Sequence, residues 1–194
     1  MYTCKENPLT PKTQCQLFDS FVGSILGYGS EIWGYTKSKE IERIHLKFLK
    51  RFLNVKQSRS TAGVYGDLGR FPLFINKYVR IIKYWCKICN SDNILIKTMY
   101  KVGLDNCNNG CKNWVDNVKK LLCNYGFAHI FNENGHYSLN GFPVIFKQRV
   151  IDCFKQDWHS SLDNNSVLLY FKQFKPDFGY APYLDIVNFP TRKC

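Results

Sequence analysis

Between Leu73 and Cys89 the apolar residues recur with the period of a helix. Tyr78, Val79, Ile81, Ile82, Trp85, Cys86 and Cys89 share one broad arc at about 100° per residue, while Arg80, Lys83 and Lys87 cluster opposite. A segment with that pattern must bury one face and solvate the other. The same pattern recurs along the chain. Thr10-Pro11 supplies an N-cap and a first-turn proline, ahead of Leu17, Phe18, Phe21, Val22, Ile25 and Leu26. Gly27, Gly29 and Gly34 then interrupt the pattern. From Lys39 to Leu53, Ile41, Ile44, Phe48, Leu49 and Phe52 form a core arc, with Arg43, Lys47 and Lys50 across from it. A short helix is expected from an N-cap at Ser91 to Gly103, another from Asn113 to Gly126, a longer one from Pro143 to Ser161 and a last one over Ser166–Phe174. No sustained alternation of the strand type appears. The expected class is all-α: a helical bundle followed by a second small helical segment.

Loops are expected at KQSRSTAGVYGDLGRFP, at residues 105–112 and at 132–142, the last with a short hairpin. DNCNNGCK at 105–112 is polar and rich in Gly and Asn. It is the expected linker between a basic region over 1–104 and a C-terminal helical region over 113–194.

Charge narrows the function classes. The chain of 194 residues carries a formal charge of +12, and the window 37–87 holds 13 basic residues against 3 acidic ones. Such asymmetry points to an anionic partner for the N-terminal half, of which nucleic acid is the commonest; a merely solvated basic surface is the alternative. No apolar run reaches the roughly 18 residues of a membrane span, and the N-terminus has no apolar leader. A soluble, intracellular protein without a membrane partner is expected.

Catalytic patterns are scarce. Two-metal phosphoryl transfer needs converging carboxylates, yet no two acidic residues are adjacent anywhere in the chain. The Gly63, Gly66 and Gly69 run follows no predicted strand, so it is expected as turn structure rather than a phosphate loop. His45 lies beside an apolar arc and is expected as a packing residue. His159 follows Trp158 near a helix end, and His129 and His136 stand in no spacing that favours a cysteine partner. Nine cysteines without a leader argue for reduced thiols. Cys86, Cys89, Cys107 and Cys111 have a spacing that zinc could use, but the first two lie on a buried helical arc. Packing thiols are expected, with no metal and no cofactor.

The segment LFDSFVGSILGYGSEIWGY (17–35) resembles the region that follows the catalytic palm in LINE-type, non-LTR retrotransposon reverse transcriptases. It carries Ile25, Leu26, Tyr28, Gly29, Ser30, Glu31, Trp33 and Gly34 where those proteins show a block similar to ILxYGSExWG. The similarity extends through 41–73, 81–88, 113–127, 146–158 and 178–185 in the same order. The resemblance implies a thumb-like helical region, over roughly 10–100, and a further helical segment. It implies a fragment without the palm's metal-binding aspartates, hence no catalytic residues, and with the palm as an absent structural partner. It also implies a nuclear setting, because the family acts on chromosomal DNA.

A thumb grips the primer–template by its phosphates, and exposed Lys and Arg suit that task. The expected backbone-binding residues are Arg43, Lys47, Lys50, Arg51, Lys56, Arg59, Arg80, Lys83 and Lys87, with an RNA–DNA hybrid or duplex as partner. Trp33 and Tyr35 could stack on bases, although packing is the simpler role. The competing expectation is a structural or interaction module, or a relic without function, that needs the palm to cover its apolar faces.

Overall fold

The computed structural model describes residues 10–132 and 140–185, and these are predominantly helical, as the periodicity requires. The elements are α1 (Pro11–Leu17), α2 (Ser24–Leu26), α3 (Ser30–Trp33), α4 (Lys39–Phe52), α5 (Thr61–Leu68), α6 (Leu73–Cys89), α7 (Ile94–Asn108), α8 (Trp114–Asn124), α9 (Ala128–Asn132), α10 (Phe142–Asp163) and α11 (Ser166–Phe174). A π-helical stretch, Phe18–Gly23, joins α1 to α2, and a 3-10 turn covers Pro182–Asp185. Strand pairing among the described residues is confined to one antiparallel bridge, Leu68 to Tyr180. No helix of the described residues is long and apolar enough to cross a membrane.

The chain forms two compact units that interleave in sequence. One contains residues 10–28, 43–70 and 162–185; the other contains 29–42 and 71–161. These units are drawn differently from the division expected at 105–112, and part of that expected linker is helical. Asp105–Asn108 is the last turn of α7. Composition suggested a linker, but Tyr100, Leu104 and Cys107 continue one inward stripe at i, i+4 and i+7 and carry the helix through the polar residues.

In the second unit α6 is the central element. Ile81, Ile82 and Trp85 are almost fully buried. The Trp85 ring meets Phe131 and Phe142 at 6.3 Å each, and its indole N–H donates to the Tyr100 hydroxyl at 3.0 Å. The Glu42 carboxylate accepts from the Phe74 backbone N–H at 2.9 Å, in the first turn of α6, where the helix dipole favours negative charge. Asn113 caps α8 as expected, its side chain accepting from Asp116 N–H at 2.9 Å. Asn93, not Ser91, caps α7, accepting from Leu95 and Ile96 N–H groups, and the Ser91 hydroxyl instead accepts from Asn93 N–H. The hairpin expected within 132–142 lies largely outside the described residues.

In the first unit Thr10 caps α1 as expected, accepting from Thr13 N–H. Phe18 stacks on His45 at 5.3 Å and on Phe48 at 4.4 Å, and His45 also faces Tyr65 at 5.9 Å. Arg70 and Asp19 close a two-pronged ion pair, Nη1 to Oδ2 at 2.7 Å and Nη2 to Oδ1. The glycine-rich stretch expected as a turn is instead α5. Val64, Tyr65 and Leu68 are buried, so tertiary packing overrides the poor helix propensity of Gly63 and Gly66. Gly69 ends the helix at φ 59°, where a Cβ would stand 2.5 Å from the Tyr180 backbone nitrogen.

Gly69→Ala is therefore expected to lower the unfolding free energy in urea by about 1–3 kcal/mol, from backbone strain alone, and further through the clash. Gly110→Ala, at φ 83° with open space around its Cβ, carries the strain without the clash and should cost clearly less. Equal losses at both positions would show that the contact with residues 179–180 is absent in solution.

Candidate nucleic-acid interface

Six of the nine expected backbone-binding residues fall in the first unit: Arg43, Lys47, Lys50, Arg51, Lys56 and Arg59. Arg80, Lys83 and Lys87 fall in the second. Arg43, Lys47 and Arg51 are exposed on α4 at i, i+4 and i+8. They form one row with about 6 Å of rise per step. Of the expected apolar arc, Leu49 is fully buried and Phe48 stacks on Phe18, whereas Ile44 is exposed and the buried His45 takes a place in the core. Lys56 and Arg59 are exposed in the connection to α5. Arg80, Lys83 and Lys87 are exposed along α6, opposite Ile81, Ile82 and Trp85.

Lys50 departs from the expectation. It is only 8% exposed, and its ammonium donates to the Gln57 carbonyl at 2.7 Å. After α4 the chain turns at Asn54, which adopts φ 53°. The return of the connection over the last turn of α4 brings an acceptor to Lys50, a cation near a helix C-terminus. Helical periodicity alone puts Lys50 with Arg43 and Lys47; the fold of the connection removes it from that row.

Arg59 has an acidic neighbour. Asp67 is held above the usual carboxylate range, first by burial, against a hydrogen bond from the Tyr183 hydroxyl and the positive charges of Lys175 and Arg59. The 178–185 segment anchors here, since Ala181 N–H also donates to the Asp67 carbonyl at 2.8 Å.

Lys77, which the sequence did not single out, is 2% exposed with its ammonium 5.1 Å from the Trp33 ring centre. Its ammonium has no hydrogen-bond partner among the described residues, and burial pulls its pKa down against the attraction of Glu42. Trp33 thus contacts a buried cation, whereas Tyr35 borders a cleft of the second unit with Lys37, Tyr78 and Tyr125. The sequence signal for that cleft was weak, because its residues come from α6, α8, α10 and the segment after α3.

The histidines divide by burial. His45 is fully buried among aromatic rings, as its position beside the apolar arc implied, while His159 packs edge-on against Trp158 at 4.8 Å. His129 is exposed, and His136 lies outside the described residues. Cys86 and Cys107 are buried free thiols, Cys89 is half-buried and Cys111 is exposed. Burial pushes the Cys86 thiol up to about 12. Among the described residues no three or more His, Cys, Asp or Glu side chains gather as a metal site would require.

No protein-family model, curated protein or solved structure matches the chain.

Two measurements test this arrangement. Lys50→Ala should destabilise the protein by about 1.5–3 kcal/mol through loss of a charged hydrogen bond, while Lys47→Ala stays within about 0.5 kcal/mol of the parent. Asp67 binds a proton more tightly when folded, so its contribution to stability falls as pH rises from the ordinary carboxylate value of about 3.9 through its raised folded value. Asp67→Asn keeps an acceptor for Tyr183. It should gain stability relative to the parent across that interval, as read from urea midpoints at successive pH values.

Proposed function

We propose that the chain acts by binding and not by catalysis: a thumb-like helical segment, of the kind that follows the palm in LINE-type reverse transcriptases, which holds an RNA–DNA hybrid or duplex by its backbone. The observation that carries this reading is the exposed row Arg43, Lys47 and Arg51 on α4. The row follows a single helix face, and no acidic residue interrupts α4 after Glu42. Phosphate contacts of this kind position a duplex without reading its sequence. Arg80, Lys83 and Lys87 supply a second exposed set on α6, and Lys56 and Arg59 add charge beside α4. The motif resemblance of the same segments to a thumb and its continuation supports this reading and, with it, a nuclear site of action.

A second reading rests on exposed apolar side chains. Phe21, Ile25 and Tyr28 are 68%, 75% and 84% exposed, and Ile94, Leu95 and Met99 are similarly open on α7. Contiguous apolar exposure marks interaction surfaces. It favours a structural module whose partner in the family would be the palm.

Fluorescence anisotropy of a labelled RNA–DNA hybrid separates the readings. Engagement of about six phosphates should weaken affinity on the order of 10³-fold between about 50 and 200 mM salt. Reversing Arg43, Lys47 and Arg51 to Glu should flatten the slope of log affinity against log salt by about one per lost contact. An unchanged slope in that variant would remove α4 from the interface. A helical, monodisperse chain with no affinity for the hybrid would overturn backbone binding and leave the interaction module.

A further inference from the structure

The second unit encloses a cleft of about 550 Å³, within the range of small-ligand sites. Its walls come from four places: the segment after α3, the first half of α6, one face of α8 and the middle of α10. Tyr78, Tyr125 and Phe154 supply aromatic surface. Tyr78 and Tyr125 stand edge to face at 6.2 Å, so the ring arrangement is fixed by packing. Burial raises both phenols, Tyr125 to about 12, so each remains a neutral hydrogen-bonding group at physiological pH.

The polar groups of the cleft are of a particular kind. Asn117 and Asn124 lie seven positions apart on α8 and face the cleft together. Each amide offers a donor and an acceptor in one plane. Asp157 adds an acceptor from α10. Lys120 is paired with Asp116 at 2.6 Å, which leaves Lys37 as the cation at the cleft without a carboxylate partner among the described residues. Lys37 sits 4.6 Å from the Phe74 ring centre.

The geometry points to a nucleotide site: a base held against the aromatic wall, its edge met by Asn117, Asn124 and Asp157, and its phosphate met by Lys37. Flat apolar faces, in-plane amides and one cation match the three parts of a nucleotide. A carboxylate among the edge-reading groups asks for a donor on the ligand, so bases with an exocyclic amine are favoured over uracil. The ligand could be a free nucleotide or an unstacked residue of a bound strand; the second source rests on the nucleic-acid function proposed above.

Cys153 lines the same cleft and is a half-buried free thiol, whereas Cys111 and Cys123 are exposed and lie outside its lining. Alkylation of the full chain, quantified cysteine by cysteine by mass spectrometry, is therefore a direct probe. Adenosine 5′-monophosphate at ten times its dissociation constant should slow labelling at Cys153 by about tenfold, since protection follows 1 + [L]/Kd. Labelling at Cys111 and Cys123 should not change. Uridine 5′-monophosphate should protect less at the same concentration. The side-chain amide NMR signals of Asn117 and Asn124 should shift in the same titration, which keeps the test decisive if Cys153 reacts slowly.

Protection by the mononucleotide identifies a free-nucleotide site, and protection by a short single-stranded oligonucleotide alone identifies a strand-borne base. Asn124→Leu, at an exposed position, and Lys37→Ala should each abolish or sharply weaken the protection. A chain that binds the hybrid with a steep salt slope, yet shows neither protection nor amide shifts with any nucleotide or oligonucleotide, overturns the cleft while leaving backbone binding intact. Protection by the mononucleotide without hybrid binding does the reverse.

Discussion

The second unit depends on burial of one face of α6. Ile75, Ile81, Ile82 and Trp85 are each no more than 2% exposed. Removing a buried tryptophan typically costs about 3–5 kcal/mol, a large share of the stability of any small domain. Trp85 also joins separate elements: its ring faces Phe131 of α9 and Phe142 of α10, and its N–H is satisfied by Tyr100 of α7. With this face buried, Arg80, Lys83 and Lys87 lie on the exposed side of the helix. The same constraint builds the cleft, because Phe74 and Tyr78 lie on the early turns of this helix.

Elements with strong period-3.6 patterns were legible in the sequence. The bounds Leu73–Cys89 and Ser166–Phe174 agree to the residue, and α4 differs by one position at its end. These segments carry enough apolar residues on one arc to specify themselves. Two local signals misled. Gly63 and Gly66 read as a turn because intrinsic propensity is weak evidence when neighbours such as Val64, Tyr65 and Leu68 are buried. The polar run at 105–112 read as a linker because composition outweighed the stripe through Leu104 and Cys107.

The limits for the candidate site were different in kind. Exposure of a lysine follows from helix phase, so the placement of Arg43, Lys47 and Arg51 could be read directly. Lys50 could not, because its burial depends on where Gln57 returns. Glu42 meeting Phe74, across 32 positions, and Asp67 meeting Tyr183, across 116, are likewise products of the fold. So is the cleft, whose residues are unremarkable in any single helix and acquire a common direction only when α6, α8 and α10 pack. Of its aromatic residues only Tyr78 was legible on an apolar arc, and its amides carried no signal of their own.

Amphipathicity alone does not account for the basic faces. A solvated helix face is served equally by mixed charges, which also limit self-repulsion. The helix dipole explains acids early and bases late: Glu40 and Glu42 open α4, and Lys50 and Arg51 close it. Of these, Glu42 is engaged with the Phe74 amide and Lys50 with the Gln57 carbonyl. Arg43 and Lys47 precede the last turn of α4, and Arg80 and Lys83 lie in the interior of α6. Neither dipole nor burial asks for positive charge at these four positions. Over 37–87 there are 13 basic and 3 acidic residues, an excess that helix ends and burial do not call for, and it is this excess that the proposed backbone binding would use.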